Sequence, residues 1–268
     1  MSGESGVPGA PRARLTPYEM ILAPLEKTAW PQVKAEAEQR GTDTRRHDQF
    51  VLLGQVGATL RDIVPDDAPA DATEEHADLL YHGYQFWNFG RRLYVFDPVV
   101  ADTLTAPTAD LGGWVFAGPP SCYLQLPYQR IWARLAAEAP YEPADGCFVV
   151  VDDTEPAPDA GAHLRILLIL GLRPDRPGVS LVSYRTDLDP RAAAARADRP
   201  WREDEEPFAN VIPGGERIGI HTIATMSELE ALVIRALAYL DRHPDKLTAQ
   251  NGSEAEGETR LSYVRVGV

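Results

Sequence analysis

The spacing of apolar residues changes along this chain from a helical period to an extended one, and then back. From residue 15 to about 106 the recurrence is mostly helical, and from about 114 to 223 it breaks into short β-rich runs. Leu15 to Arg40 is rich in Glu, Ala and Leu, but Pro17, Pro24 and Pro31 divide it into short pieces, the longest following Pro31 at an N1 position. A second helix is expected from Thr42 or Thr44 to Ile63, where Pro65 stops it. A third is expected from an N-cap at Thr73 to about Phe89, with Gly90 at the C′ position. Arg92 to Phe96 reads as a short strand, and Asp97-Pro98 restarts a helix that lasts to about Leu104.

After Gly112-Gly113, Trp114 to Ala117 and Ser121 to Leu126 read as strands, and Tyr128 to Ala137 as a short helix. Cys147 to Val151, Leu164 to Leu172 and Val179 to Arg185 are three further strands whose short, turn-rich connections favour an antiparallel meander. Ile166 to Leu170 is apolar on both faces, which marks a central strand. Residues 187–213 form a charged excursion, and Arg217 to Ile223 has strand character. The strongest helix follows. Ser227 and Glu230 form a capping box, Leu229, Leu232, Val233, Ala236, Leu237 and Leu240 make one stripe, and His243-Pro244 ends it. Leu261 to Val268 is extended, either pairing with a sheet edge or staying free.

The expected fold is therefore α+β. A helical layer (about 15–106) packs on a mainly antiparallel sheet (about 114–223), and the amphipathic C-terminal helix covers one face. Residues 1–14, rich in Gly, Pro and Ser, are expected to be a mobile leader, residues 15–268 one domain, and 244–268 a polar tail.

Charge narrows the function. With 40 acidic against 26 basic residues in 268, the net charge is −14, which disfavours nucleic-acid binding built on phosphate contacts. Cys122 and Cys147 are too few for a disulfide framework and lack zinc-ligand spacing. The leader has no apolar signal core, and no apolar run is long enough to cross a bilayer, so a cytoplasmic protein without membrane insertion is expected. No P-loop, G-x-S-x-G elbow or H-E-x-x-H occurs, and no cofactor is expected.

The densest chemistry lies between Tyr81 and Phe96, where seven aromatic residues fall among 16 and no residue is acidic. Two readings stay open. Leu80, Tyr84 and Trp87 share one helical face and can be a buried stripe against the sheet. Alternatively, Tyr84, Trp87, Arg91 and Arg92 form a binding surface for another protein, with the arginines pairing acidic groups. Trp201, beside the acidic run Glu203 to Glu206, is a further interface candidate. Weak metal candidates are Asp152, Asp153 and His163 around the hairpin 152–159, although their spacing fits no calcium loop.

A short helix ending near Leu104 and Thr105, a strand closing on Leu126-Pro127-Tyr128, a meander opening at Gly146-Cys147 and a late helix bearing Leu237-Ala238-Tyr239-Leu240 resemble phage-encoded proteins that include a type V anti-CRISPR. The likeness covers about half the chain and rests on patterns of apolar residues. It implies a non-enzymatic protein that acts by binding another macromolecule. Two functions are thus in play: a non-catalytic interaction or assembly component, or a small-molecule hydrolase or ligand-binding enzyme with a pocket between sheet and helices, metal-assisted through Asp152, Asp153 and His163.

Overall fold

The computed structural model describes residues 14–40, 70–105, 117–127, 131–133, 142–152, 163–170, 182–188, 222–224, 226–250 and 262–267. The N-terminal segment folds as a π turn (Tyr18–Leu22), a 3-10 turn (Ala23–Lys27) and helix α1 (Ala29–Arg40). Pro17 and Pro24 punctuate this stretch as expected, but Pro31 does not break it: α1 begins two residues earlier, which is tolerated inside a first turn because no intrahelical N–H bond is lost there. At the entry to the π turn, the Thr16 N–H donates to Glu19 Oε2 (2.8 Å) and the Glu19 N–H donates to Thr16 Oγ1 (3.2 Å), a reciprocal capping box.

Helix α2 spans Ala70–Asn88, starting three residues earlier than the Thr73 cap suggests, and Gly90 at φ +89° ends it as expected. It leads into strand β1 (Arg92–Phe96) and helix α3 (Pro98–Thr105). The remaining elements are β2 (Ser121–Gln125), β3 (Ile131–Ala133), β4 (Glu142–Asp152), β5 (His163–Leu170), β6 (Val182–Leu188), β7 (Thr222–Ala224), α4 (Met226–Arg242), β8 (Leu247–Gln250) and β9 (Ser262–Val266). The expected second helix, the strand at 114–117 and the excursion 187–213, apart from Asp187 and Leu188 at the end of β6, lie outside the described residues, except for Ala117 itself.

Seven strands run in the order β6-β5-β4-β2-β1-β9-β8, with β3 and β7 branching from the start of β4. The meander β4-β5-β6 and the β2–β4, β3–β4 and β8–β9 pairs are antiparallel. The pairs β1–β2, β1–β9 and β3–β7 are parallel, so the sheet is mixed but mostly antiparallel. Three expectations need correction. Ile131 to Ala133 is a strand rather than part of a helix, because Ile131 is needed in the core and Trp132 pairs with Pro143 and Ile223. Within the expected polar tail, Leu247–Gln250 and Ser262–Val266 are strands, and β9 sits inside the sheet between β1 and β8 rather than at an edge. The strand Arg92–Phe96, assigned to the helical layer by position, lies in the sheet with a neighbour on each side.

Both faces of the sheet are covered. Cys122, Leu124, Cys147, Val149, Ile166 and Leu168 point into a core shared with α3 and α4. Their alternates Tyr123, Phe148, Val150, Leu167 and Ile169 point into a second core with α1, α2 and the N-terminal turns. Strict two-residue alternation into two apolar cores is why β5 reads as apolar at nearly every position. Among the described residues, no helix is long and apolar enough to cross a membrane.

Candidate functional site

The aromatic window divides at the end of α2. Leu79 through Phe86 are all buried, because α2 is clamped between the sheet and the N-terminal turns. The Phe86 ring meets Phe148 edge-on at 5.6 Å from the sheet and Tyr18 at 5.2 Å from the other side. Tyr84 is fully buried with its ring 5.6 Å from Trp30. Its placement in the core corrects the expectation that it contributes to a surface: α1 covers the helix face on which it stands. Burial, followed by the charge of Glu38, pushes the Tyr84 hydroxyl up to about 12.

From Trp87 to Arg92 the window leaves the core, and it returns there with Leu93 to Phe96 in β1. Trp87, Asn88 and Phe89 are half-buried, and Gly90 and Arg92 are exposed. The Lys34 ammonium sits 5.9 Å over the Trp87 ring, a cation–π geometry that joins α1 to α2. Arg91 adopts φ +55°, a left-handed backbone uncommon for a non-glycine residue, and its N–H closes the turn onto the Phe86 carbonyl at 2.8 Å. This turn aims the guanidinium at the N-terminal segment, where Nη1 donates to both Glu26 oxygens at 2.8 Å. The Tyr18 hydroxyl donates to Glu26 Oε1 at 2.6 Å. Burial, then the bond to Glu26, holds that hydroxyl far above the ordinary tyrosine range. Arg91 is thus engaged with the N-terminal turns, whereas Arg92, one residue on, is exposed.

On the opposite face of β1, Arg92 approaches Tyr94. Burial raises the Tyr94 hydroxyl, and the Arg92 hydrogen bond and charge offset part of that rise. Burial also pushes the Cys122 thiol up to about 12 and Cys147 well above its usual value. Both cysteines are free, and a thiol held protonated in an apolar core is a poor nucleophile.

Asp152 and His163 are register partners at the loop end of the β4–β5 hairpin. Asp153 and Trp201 lie outside the described residues. Among the described residues, no group of three His, Cys, Asp or Glu side chains converges as a metal site would require.

One polar centre went unsuspected in the sequence. Asp145 is buried at the bulge between Ala144 and Gly146, where its Oδ2 accepts from the Tyr123 hydroxyl at 2.6 Å and its Oδ1 from Arg14 Nη2 at 2.7 Å. Burial, then the Asp145 charge and hydrogen bond, holds the Tyr123 hydroxyl well above its usual value. Arg14, expected to end a mobile leader, is docked on the sheet. The available signal was an acid followed by glycine inside an otherwise apolar strand, Ala144-Asp145-Gly146-Cys147.

No family model matches the chain, and no curated protein matches it. Among solved structures, a crystal structure of AcrVA2 is similar over 91% of this chain and 79% of that chain, with 10% sequence identity and a TM-score of 0.48.

Proposed function

We propose that this protein is a non-catalytic interaction component that docks another protein at the α2–β1 turn. The observation that carries this reading is the emergence of Trp87 and Phe89, half-exposed, with the Lys34 ammonium over the Trp87 ring, at a turn that runs on into exposed Arg92, all in a chain of net charge −14. Large aromatic and arginine side chains supply most binding energy at protein interfaces, and a basic aromatic spot on an acidic molecule selects a partner with an acidic surface there. The burial and raised pKa of both cysteines are consistent with the absence of nucleophilic chemistry. A cytoplasmic setting is part of the proposal, supported by two unpaired cysteines.

The test compares wild type with Arg92→Glu, an exposed position whose loss of the Tyr94 bond is controlled by its melting temperature, and with Trp87→Ala. Proteins captured by wild type from the native host and lost with Arg92→Glu, at an unchanged melting temperature, support the reading. Identical capture by Arg92→Glu and wild type overturns it. Trp87→Ala also removes packing of α2 against the core it shares with α1, so its capture loss counts only after correction for its lower stability.

A further inference from the structure

Arg14 is read by the sheet at both its backbone and its side chain. Its N–H donates to Gln125 Oε1 at 3.0 Å, and its carbonyl accepts from Gln125 Nε2 at 3.1 Å, so a side-chain amide pairs this peptide unit as a neighbouring strand would. The Nη2 of its guanidinium donates to Asp145 Oδ1 at 2.7 Å and to the Leu126 carbonyl at 2.9 Å, with a longer approach of 3.5 Å to the Asp145 carbonyl. The Tyr123 hydroxyl takes the other carboxylate oxygen. Tyrosine therefore fixes the carboxylate and leaves one oxygen presented to an incoming cation.

The receiving groups are all built into the fold. Gln125 is fully buried and Asp145 is 4% exposed. The bulge that turns Asp145 toward Tyr123 depends on Gly146, where a Cβ would stand 2.0 Å from the Leu124 carbonyl oxygen. The Leu126 N–H donates to the Asp145 carbonyl at 2.8 Å, which closes the corner between β2 and β4. Arg14, by contrast, belongs to no helix or strand, and its side chain is 18% exposed against 3% for Asp145.

We infer that this β2–β4 corner is an arginine-recognition site for an extended peptide segment, filled in cis by Arg14. Gln125 registers the peptide backbone, and the Asp145 carboxylate with the Leu126 carbonyl reads the guanidinium. Both acceptors take their protons from one terminal nitrogen, Nη2, whose two hydrogens are held in the guanidinium plane, whereas a lysine ammonium is a rotating point donor on a stem that ends differently. Withdrawal of Arg14 leaves a buried carboxylate without its cation, and an arginine presented on another peptide restores it. The site is independent of the docking face proposed above, since none of its residues lies in the 81–96 window.

The test uses full-length Arg14→Ala and N-acetyl-L-arginine amide as the probe, which carries the guanidinium and both flanking peptide groups. A ligand that binds only the native state raises the melting temperature with its concentration, so a rise that grows with the logarithm of the probe concentration, about 5 °C at a hundredfold excess over Kd, is expected. N-acetyl-L-lysine amide should give no rise, and adding Asp145→Asn should abolish the arginine effect. If Arg14→Ala does not fold alone, the readout becomes its refolding yield with and without the probe, and recovery with arginine but not lysine supports the site. No arginine effect in either readout, or an equal effect of lysine, overturns it.

Discussion

Glu26 and Arg91 are 65 residues apart in the chain and meet with both carboxylate oxygens 2.8 Å from one guanidinium nitrogen. The pair ties the N-terminal turns to the end of α2, and it exists because Arg91 accepts a left-handed backbone at φ +55°. That combination separates two effects of one side chain. Arg91→Ala loses the ion pair and keeps the backbone strain, at a cost of about 1–3 kcal/mol, since Glu26 is left partly buried beside Tyr18. Arg91→Gly loses the same pair but relieves the left-handed strain, worth about 1 kcal/mol. Arg91→Gly is therefore expected to be the more stable variant in urea denaturation, and the reverse order would show that the turn is unstrained.

Gly146 and Gly83 are both buried, yet their substitution by alanine should differ sharply. At Gly146 the new Cβ stands 2.0 Å from a backbone carbonyl oxygen, that of Leu124, which is held in the β2–β4 ladder and has no rotamer to move to. At Gly83 the new Cβ meets Leu22 Cδ1 at 2.1 Å, a side-chain terminus that can rotate away. Overpacking of the second kind costs about 1–3 kcal/mol, and the first should cost more and unseat Asp145 as well. Melting temperatures of Gly146→Ala and Gly83→Ala check the order.

Much of this architecture was legible because local signals and tertiary contacts agree. Arg92–Phe96, the Asp97-Pro98 helix start, the β4-β5-β6 meander and the helix ending at His243-Pro244 all follow from period and punctuation. The misreadings fall where partners override local preference. Ile131 to Ala133 sits between β4 and β7, neighbours that no window around it reveals. Leu247–Gln250 and Ser262–Val266 are short and mixed in polarity, and they become strands because β1 offers β9 an open parallel edge. The window 81–96 showed its aromatic density but not its orientation, since residues buried on every side of a clamped helix look the same in sequence as an exposed platform. The Arg14–Asp145 centre joins positions 131 residues apart, beyond the reach of any spacing rule.

The two-core sheet makes a prediction about β5. Leu167 points toward α2 and Leu168 toward α4, and both are essentially inaccessible. In a one-sided sheet, only one of two adjacent positions would tolerate truncation badly. Here Leu167→Ala and Leu168→Ala should each cost about 2–5 kcal/mol in equilibrium unfolding. A cost below about 1 kcal/mol at either position would mean that its face is not packed as described.

Alkaline pH should unfold the protein through its buried acids. The Cys122 thiol rises from an ordinary 9.0 to about 12, and the Tyr84 hydroxyl from 10.0 to about 12, chiefly by burial. Both are neutral acids whose folded-state pKa lies above the unfolded value, so the unfolded chain releases protons that the folded chain retains. Stability from these groups is complete below about pH 9 and is lost as pH rises from 9 toward 12. Each group adds about 1 kcal/mol per pH unit to the slope across its own window, from 9 for the thiol and from 10 for the tyrosine. Urea unfolding at several pH values should therefore fall less steeply above pH 9 for Cys122→Ala than for wild type, whatever the constant offset from lost packing. Tyr84→Phe should flatten the profile only above pH 10. Parallel profiles for wild type and Cys122→Ala would mean that the thiol is not held protonated by the fold.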